Sequence, residues 1–252
     1  MEKYKLNNST NQRDQDIVYS KEIELIWQQD DGDLIDKLRS FMCYVPYTEF
    51  TKLFCKYELF NKILNYHGSV VECGVHRGNG LLTWAHLSNI LEPVNHIRKV
   101  VGFDTFSGFP SVSTEDASNH NTNTSIGTFN SNDNLEHLQR VIKNFDSIRF
   151  LGHIDKVELV KGDACETIPN YIINNKHFLV SLLYLDFDIY EPTLSALENF
   201  IPRMHKGSII AFDQLNNKHW PGETLAYLKK CNINTHEIHR FTFNPQISYI
   251  IV

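Results

Sequence analysis

The sequence predicts an α/β domain, a mostly parallel sheet with one antiparallel strand, flanked by helices and preceded by a helical N-terminal extension. Short apolar runs end in acids at Glu72, Asp104, Asp186 and Asp213, as buried strands of a parallel sheet do when they run out at one edge. Helix-period segments separate these runs. The first run, which follows Gly68, opens onto Gly74, Gly78 and Gly80 before a helical pattern starts at Leu81. Strand, glycine-rich turn and helix together make a nucleotide-type site, because glycines let the backbone approach a ligand and a helix start offers free N–H groups.

Composition excludes several classes. At 252 residues, 42% hydrophobic and 12% aromatic, the chain can bury a sizeable core as one generous domain. No apolar run is long enough to span a membrane, and the polar start, Met1 to Asp16, lacks a signal peptide's apolar centre. A net charge of −6 argues against a nucleic-acid partner. Five scattered cysteines without CxxC spacing read as reduced thiols in a cytoplasmic protein. Twelve dispersed histidines form no metal motif; His236 and His239, in an expected strand, would face opposite sides.

In chain order, residues 1–20 read as a flexible arm rich in Asn, Gln, Ser and Thr. One or two short helices follow, broken at Asp30-Asp31-Gly32. These make residues 1–46 an arm with short helices and leave residues 47–252 as the main domain. Thr48 is the expected N-cap of a helix with Phe50, Leu53, Phe54, Tyr57, Phe60, Ile63 and Leu64 on its stripe, ended by Gly68. The second strand is Lys99–Asp104. Thr105 to Ser131, with a Ser/Thr/Asn tract at 118–124, is long enough to read as a substrate lid. A helix with Leu135, Leu138, Val141, Ile142 and Phe145 follows, then a strand from Lys156 running out at Asp163. The fourth strand is Val180–Asp188 and the fifth Gly207–Asp213; the helix after the fourth carries Pro192 at an early position, and Pro221 opens the last helix. Thr235–Phe243 and Gln246–Val252, about Asn244-Pro245, read as a closing strand pair.

The turn itself runs Glu72-x-Gly74-x-x-x-Gly78-x-Gly80, which is not the dinucleotide spacing. It resembles the first motif of Rossmann-like S-adenosylmethionine (SAM) methyltransferases, which implies that Glu72 helps hold the methionine end of the cofactor beside Gly74 and Gly78. Asp104 lies at the spacing where a carboxylate receives ribose hydroxyls, and Asp163 stands where such enzymes meet adenine. Four motifs in order, Glu72-Cys-Gly-Val-His-Arg-Gly78, Gly102-Phe-Asp-Thr-Phe-Ser-Gly-Phe-Pro110, Leu185-Asp-Phe-Asp-Ile-Tyr-Glu-Pro-Thr193 and Gly207-Ser-Ile-Ile-Ala-Phe-Asp213, resemble the macrocin O-methyltransferase family over roughly residues 45–230. The resemblance implies O-methylation of sugar hydroxyls with SAM as donor and a divalent cation, usually Mg²⁺. It makes Asp186 and Asp213 metal ligands and Asp188 the general base. The family's second acid after Asp213 is here Gln214, which can offer a neutral oxygen but not a charge. Phe187 and Pro192 also depart from the family pattern and bear on the acceptor.

The chemistry asks for such residues. Methyl transfer needs an in-line arrangement, so positioning carries much of the rate. A hydroxyl attacks once its proton leaves, which a carboxylate or a cation assists. Asp186 and Asp188, two apart at a strand's end, could face different sides, one toward metal and one toward substrate. Rival readings are a glycosyltransferase using Asp186-x-Asp188 for a metal–nucleotide sugar, a methyltransferase acting on a phosphate-like or phosphoramidate oxygen, and a non-catalytic SAM-binding protein. A short-chain oxidoreductase needs Tyr-x-x-x-Lys, and no tyrosine here has Lys four residues on. The expected partner is a small-molecule or glycan-precursor acceptor, with room for a homo-oligomer.

Overall fold

The computed structural model describes residues 14–120, 124–131 and 134–252. The chain forms two compact units, one ending at Thr51 and one spanning Lys52–Val252. In the first, α1 (Asp14–Gln29) and α2 (Leu34–Arg39) are separated at the expected break. There the Gly32 amide donates to Asp30 Oδ1 at 2.7 Å, and Asp33 caps α2 by accepting from the Asp36 amide at 2.9 Å. The arm expected over residues 1–20 is corrected in part: residues from Asp14 on are helical. Residues 1–13 lie outside the described residues. Trp27 meets Tyr44 edge-on at 4.9 Å, and the Tyr44 hydroxyl donates to Asp30.

Helix α3 (Tyr47–Ile63) starts one residue before Thr48, so Thr48 sits in its first turn and is not the N-cap. Past Lys52 its inner stripe buries Cys55, Leu59, Phe60 and Ile63. A seven-stranded sheet follows: β1 (Ser69–Cys73), β2 (Val100–Asp104), β3 (Val157–Lys161), β4 (Val180–Leu185), β5 (Met204–Phe212), β6 (His239–Phe241) and β7 (Asn244–Ile251). Its order is β3-β2-β1-β4-β5-β7-β6, and among the described strands β7 runs against the direction shared by the others. This is the doubly wound arrangement, and its order reverses between β1 and β4, where such sheets open a crevice.

Alternation within the central strands sends side chains to two cores. Val70, Leu182, Tyr184, Ile209 and Ala211 face α3, α4 (Asn79–Leu91) and α5 (Leu135–Ser147). Val71, Leu183, Leu185, Ile210 and Phe212 face α6 (Ala164–Asn174), α7 (Tyr190–Phe200) and α8 (Gly222–Lys230). At the opposite edge from the crevice, buried Arg98 pairs with Glu92 at 2.8 Å. It also donates to the carbonyls of Ile63, Tyr66 and Gly68 at 3.0, 2.8 and 2.7 Å, clamping the entry of β1.

The closing strand pair is shorter than expected. Strand β6 holds only His239–Phe241, so His236 lies outside it and the opposite-face reading of His236 and His239 does not apply. The turn is Thr242-Phe243, and Asn244-Pro245 opens β7. Pro245 is tolerated there because the pairing shifts register between Arg240 and Phe241, where no ladder N–H is asked of it.

Candidate active site

The glycine-rich turn lies where β1 meets the end of β4. Gly74 has φ 96°, and a Cβ on it would stand 2.0 Å from the Asp186 carbonyl oxygen, so only glycine lets the two segments touch. The Gly74 amide donates to the Phe103 carbonyl at 2.9 Å and the Asp186 amide to the Cys73 carbonyl at 2.8 Å, carrying the ladder to the rim. Gly78 has φ 89° and immediately precedes α4, whose first turn faces the crevice.

Asp104 organises this turn. Its Oδ2 accepts from the amides of Val75 at 2.8 Å and His76 at 2.7 Å, and its Oδ1 from Phe106 at 2.6 Å. Two amide protons fill the lone pairs of Oδ2, and Oδ1 keeps one acceptor position. Asp163 caps α6, one oxygen accepting from the Cys165 amide at 2.9 Å. Glu72 is 2% exposed, on the sheet face covered by α3 and α4. Burial holds its carboxyl above the usual range, opposed by the nearby Lys56 ammonium at 3.6 Å.

The acids of β4 and β5 gather on the other side of the switch point. Strand β4 stops at Leu185, so the strand-based account of Asp186 and Asp188 facing opposite sides is corrected: both lie in the turn beyond it. Asp188 has φ 64°, an uncommon conformation that Asp tolerates, and its Oδ1 accepts from the Gln214 side-chain amide. Burial and the charge of Asp213 push Asp188 up to about 8, against the pull of Lys52 and the Gln214 hydrogen bond. Asp186 is raised by burial, then by Asp213 and Asp188. Asp213 accepts from the Tyr184 hydroxyl at 2.6 Å. The Gln214 side-chain oxygen is enclosed and without a hydrogen-bond partner.

Four residues that the sequence did not single out complete the site. Glu223, in the first turn of α8, is fully buried and takes the Gln214 amide at 2.8 Å. Its position after Pro221-Gly222 reads from sequence only as an acid suited to a helix start. Tyr184 is the register partner of Glu72, a pairing no local signal reveals. Lys56 did carry a signal: it stands one turn from Phe60 on the apolar stripe of α3. Asp116, in the long loop, accepts from the Ser113 amide at 2.9 Å and from the Tyr190 amide at 2.7 Å. That ties the loop expected as a lid to the start of α7. Residues 121–123 of the expected tract lie outside the described residues.

The matches to known proteins agree with this arrangement. Residues 58–238 match the family model of macrocin O-methyltransferase. A tetracenomycin rhamnosyl 4′-O-methyltransferase of Streptomyces olivaceus is 29% identical over 147 residues, a match covering 58% of this chain and 52% of that protein. The chain thus spans about half the length of that relative. A crystal structure of calicheamicin methyltransferase is 30% identical, with TM-score 0.89, covering 95% of this chain and 93% of the other. An apo structure of the TDP-rhamnose 3′-O-methyltransferase of calicheamicin biosynthesis is 27% identical, with TM-score 0.83 and 98% of each chain covered. With most of the second unit matched by one family model, and with the sheet order and the glycine-rich turn in place, this chain belongs to the macrocin O-methyltransferase family of SAM-dependent enzymes.

Proposed function

We propose that this chain, through residues 47–252, transfers the methyl group of SAM to a hydroxyl of a sugar carried on a small molecule or glycan precursor. The observation that carries the reading is the placement of Asp188. Its carboxylate stands in the turn after β4, beside the glycine-rich turn of β1, and Gln214 fixes it by a hydrogen bond. The rhamnose-modifying relatives support a deoxysugar acceptor. No helix among the described residues is long and apolar enough to cross a membrane.

The residues fit SAM. Asp104 holds the turn amides and has one acceptor position for a ribose hydroxyl, Asp163 has an oxygen beyond its cap contact for the adenine amine, and Gly74 and Gly78 give the backbone close approach. Glu72 supplies negative charge toward the methionine ammonium. SAM contributes an electrophilic methyl group whose sulfur leaves as a neutral thioether. Asp188 is placed to take the acceptor hydroxyl's proton, and a carboxyl pushed up to about 8 is a strong enough base for that role. The crevice aligns the two reactants, the larger share of such catalysis. Incubating the protein with isotopically labelled SAM and TDP-rhamnose, read by mass spectrometry, tests the reading: the label is expected on a sugar oxygen.

A divalent cation would be held by Asp186, Asp213 and the partnerless side-chain oxygen of Gln214, where it would lower the hydroxyl's pKa. Tyr184 already occupies one Asp213 oxygen, and no group of three Asp, Glu, His or Cys side chains among the described residues forms a cation site. A site of two carboxylates and an amide binds Mg²⁺ weakly. Gln214→Asp restores the missing charge and is expected to tighten Mg²⁺ at least tenfold in calorimetry. Wild-type protein that keeps stoichiometric Mg²⁺ through dialysis would contradict this.

A further inference from the structure

We propose that Lys56 is a positioning residue for the cofactor, whose buried ammonium holds Glu72 under the glycine-rich turn. This rests on the reading of Glu72 given above. Lys56 is 6% exposed, and its Nζ lies 3.6 Å from Glu72 Oε1, 3.5 Å from the centre of the Tyr184 ring and 4.5 Å from that of Trp84. Two aromatic faces and one carboxylate therefore surround an ammonium that has lost its water. Cation–π attraction offsets part of that loss, and the Glu72 carboxylate is the acid it pairs with.

The glycine-rich turn is cut to fit this pair. A Cβ on Gly80 would stand 1.9 Å from Glu72 Oε1 and 2.9 Å from Lys56 Nζ, so the third glycine of the motif clears space for a buried ion pair. The pair is also unfinished. Lys56 Nζ, Glu72 Oε2 and Trp84 Nε1 are buried and have no hydrogen-bond partner. Lys56 and Trp84 both turn toward the Glu72 carboxyl without completing a full hydrogen bond to it, so the carboxylate keeps acceptor capacity for a further polar contact. Such a contact beneath the turn suits the charged amino-acid end of SAM, reached through Glu72. Lys56 opposes the burial that raises the Glu72 carboxyl and keeps it aimed, while Tyr184, whose hydroxyl goes to Asp213, backs the ammonium from the acceptor side.

Titration calorimetry with S-adenosylhomocysteine (SAH), alongside thermal melting, tests the proposal. Lys56→Met keeps the apolar stem and removes the charge; SAH affinity is expected to fall tenfold or more. Lys56→Arg keeps the charge and should restore most of the loss. Glu72→Gln in the Lys56→Met background should cost little beyond the larger single effect, because the two act as one unit. If Lys56→Met does not fold, Lys56→Gln carries the same expectation. SAH affinity within twofold of wild type in a folded, charge-free variant would overturn the proposal, as would losses from Lys56 and Glu72 that simply add. Wild-type protein that fails to bind SAH at all would instead remove the functional reading, and the proposal with it.

Discussion

Replacing Asp188 with Asn lowers kcat by roughly 10²–10⁴, the usual range for loss of a general base, while SAM affinity stays near wild type. Asn keeps the shape. Its amide oxygen can still accept from Gln214, but the group facing the acceptor then cannot take a proton. The pH profile carries the same information. The Asp188 carboxyl is pushed up to about 8, so the base form is scarce below that pH; wild-type turnover rises as pH increases through about 8 and then levels. In the Asn variant that rise disappears. A fall in SAM binding as large as the fall in kcat would make Asp188 a cofactor ligand. Near-normal turnover would mean an acceptor oxygen already ionised, as in a phosphate-like substrate.

Replacing Asp104 with Ala weakens SAM binding by more than the loss of a ribose contact alone. The carboxylate accepts three backbone amides from the glycine-rich turn and the loop after β2. Hydrogen bonds to a charged group contribute about 1.5–3 kcal/mol each, although losses at one residue do not add fully. The turn therefore loses its shape before the cofactor arrives. SAM affinity is expected to fall at least tenfold and the melting temperature to drop with it, both read on the same purified variant. Unchanged SAM affinity would remove Asp104 from the cofactor site.

Much of this architecture was legible because buried parallel strands write themselves as apolar runs. The strands ending near Glu72, Asp104, Asp163, Asp186 and Asp213 all form and run parallel, and their ends line one rim. What the sequence concealed is set by register and by turns. Nothing local says that Tyr184 lies beside Glu72, or that Asp188 adopts φ 64° once β4 has stopped at Leu185. Period-2 reasoning fails past the last strand residue, because the chain is no longer pleated. The sequence pattern runs past β6 because Thr235 and Ile238 suit a strand, while the paired residues are His239–Phe241. Glu223 carries no sequence signal, because an acid in a helix's first turn is ordinary; its burial at 0% exposure beside Asp213 and Gln214 marks it. Lys56 was visible as a charge on an apolar stripe, and its partner emerged only with the sheet.

Titration calorimetry with SAH and, separately, with TDP-rhamnose, each with and without Mg²⁺, tests the central claim most directly. The account predicts saturable SAH binding that changes little with Mg²⁺ and is weakened by Asp104→Ala. Absence of SAH binding, together with Mg²⁺-dependent binding of the nucleotide sugar at the Asp186-Phe187-Asp188 turn, would contradict it and make the chain a nucleotide-sugar enzyme.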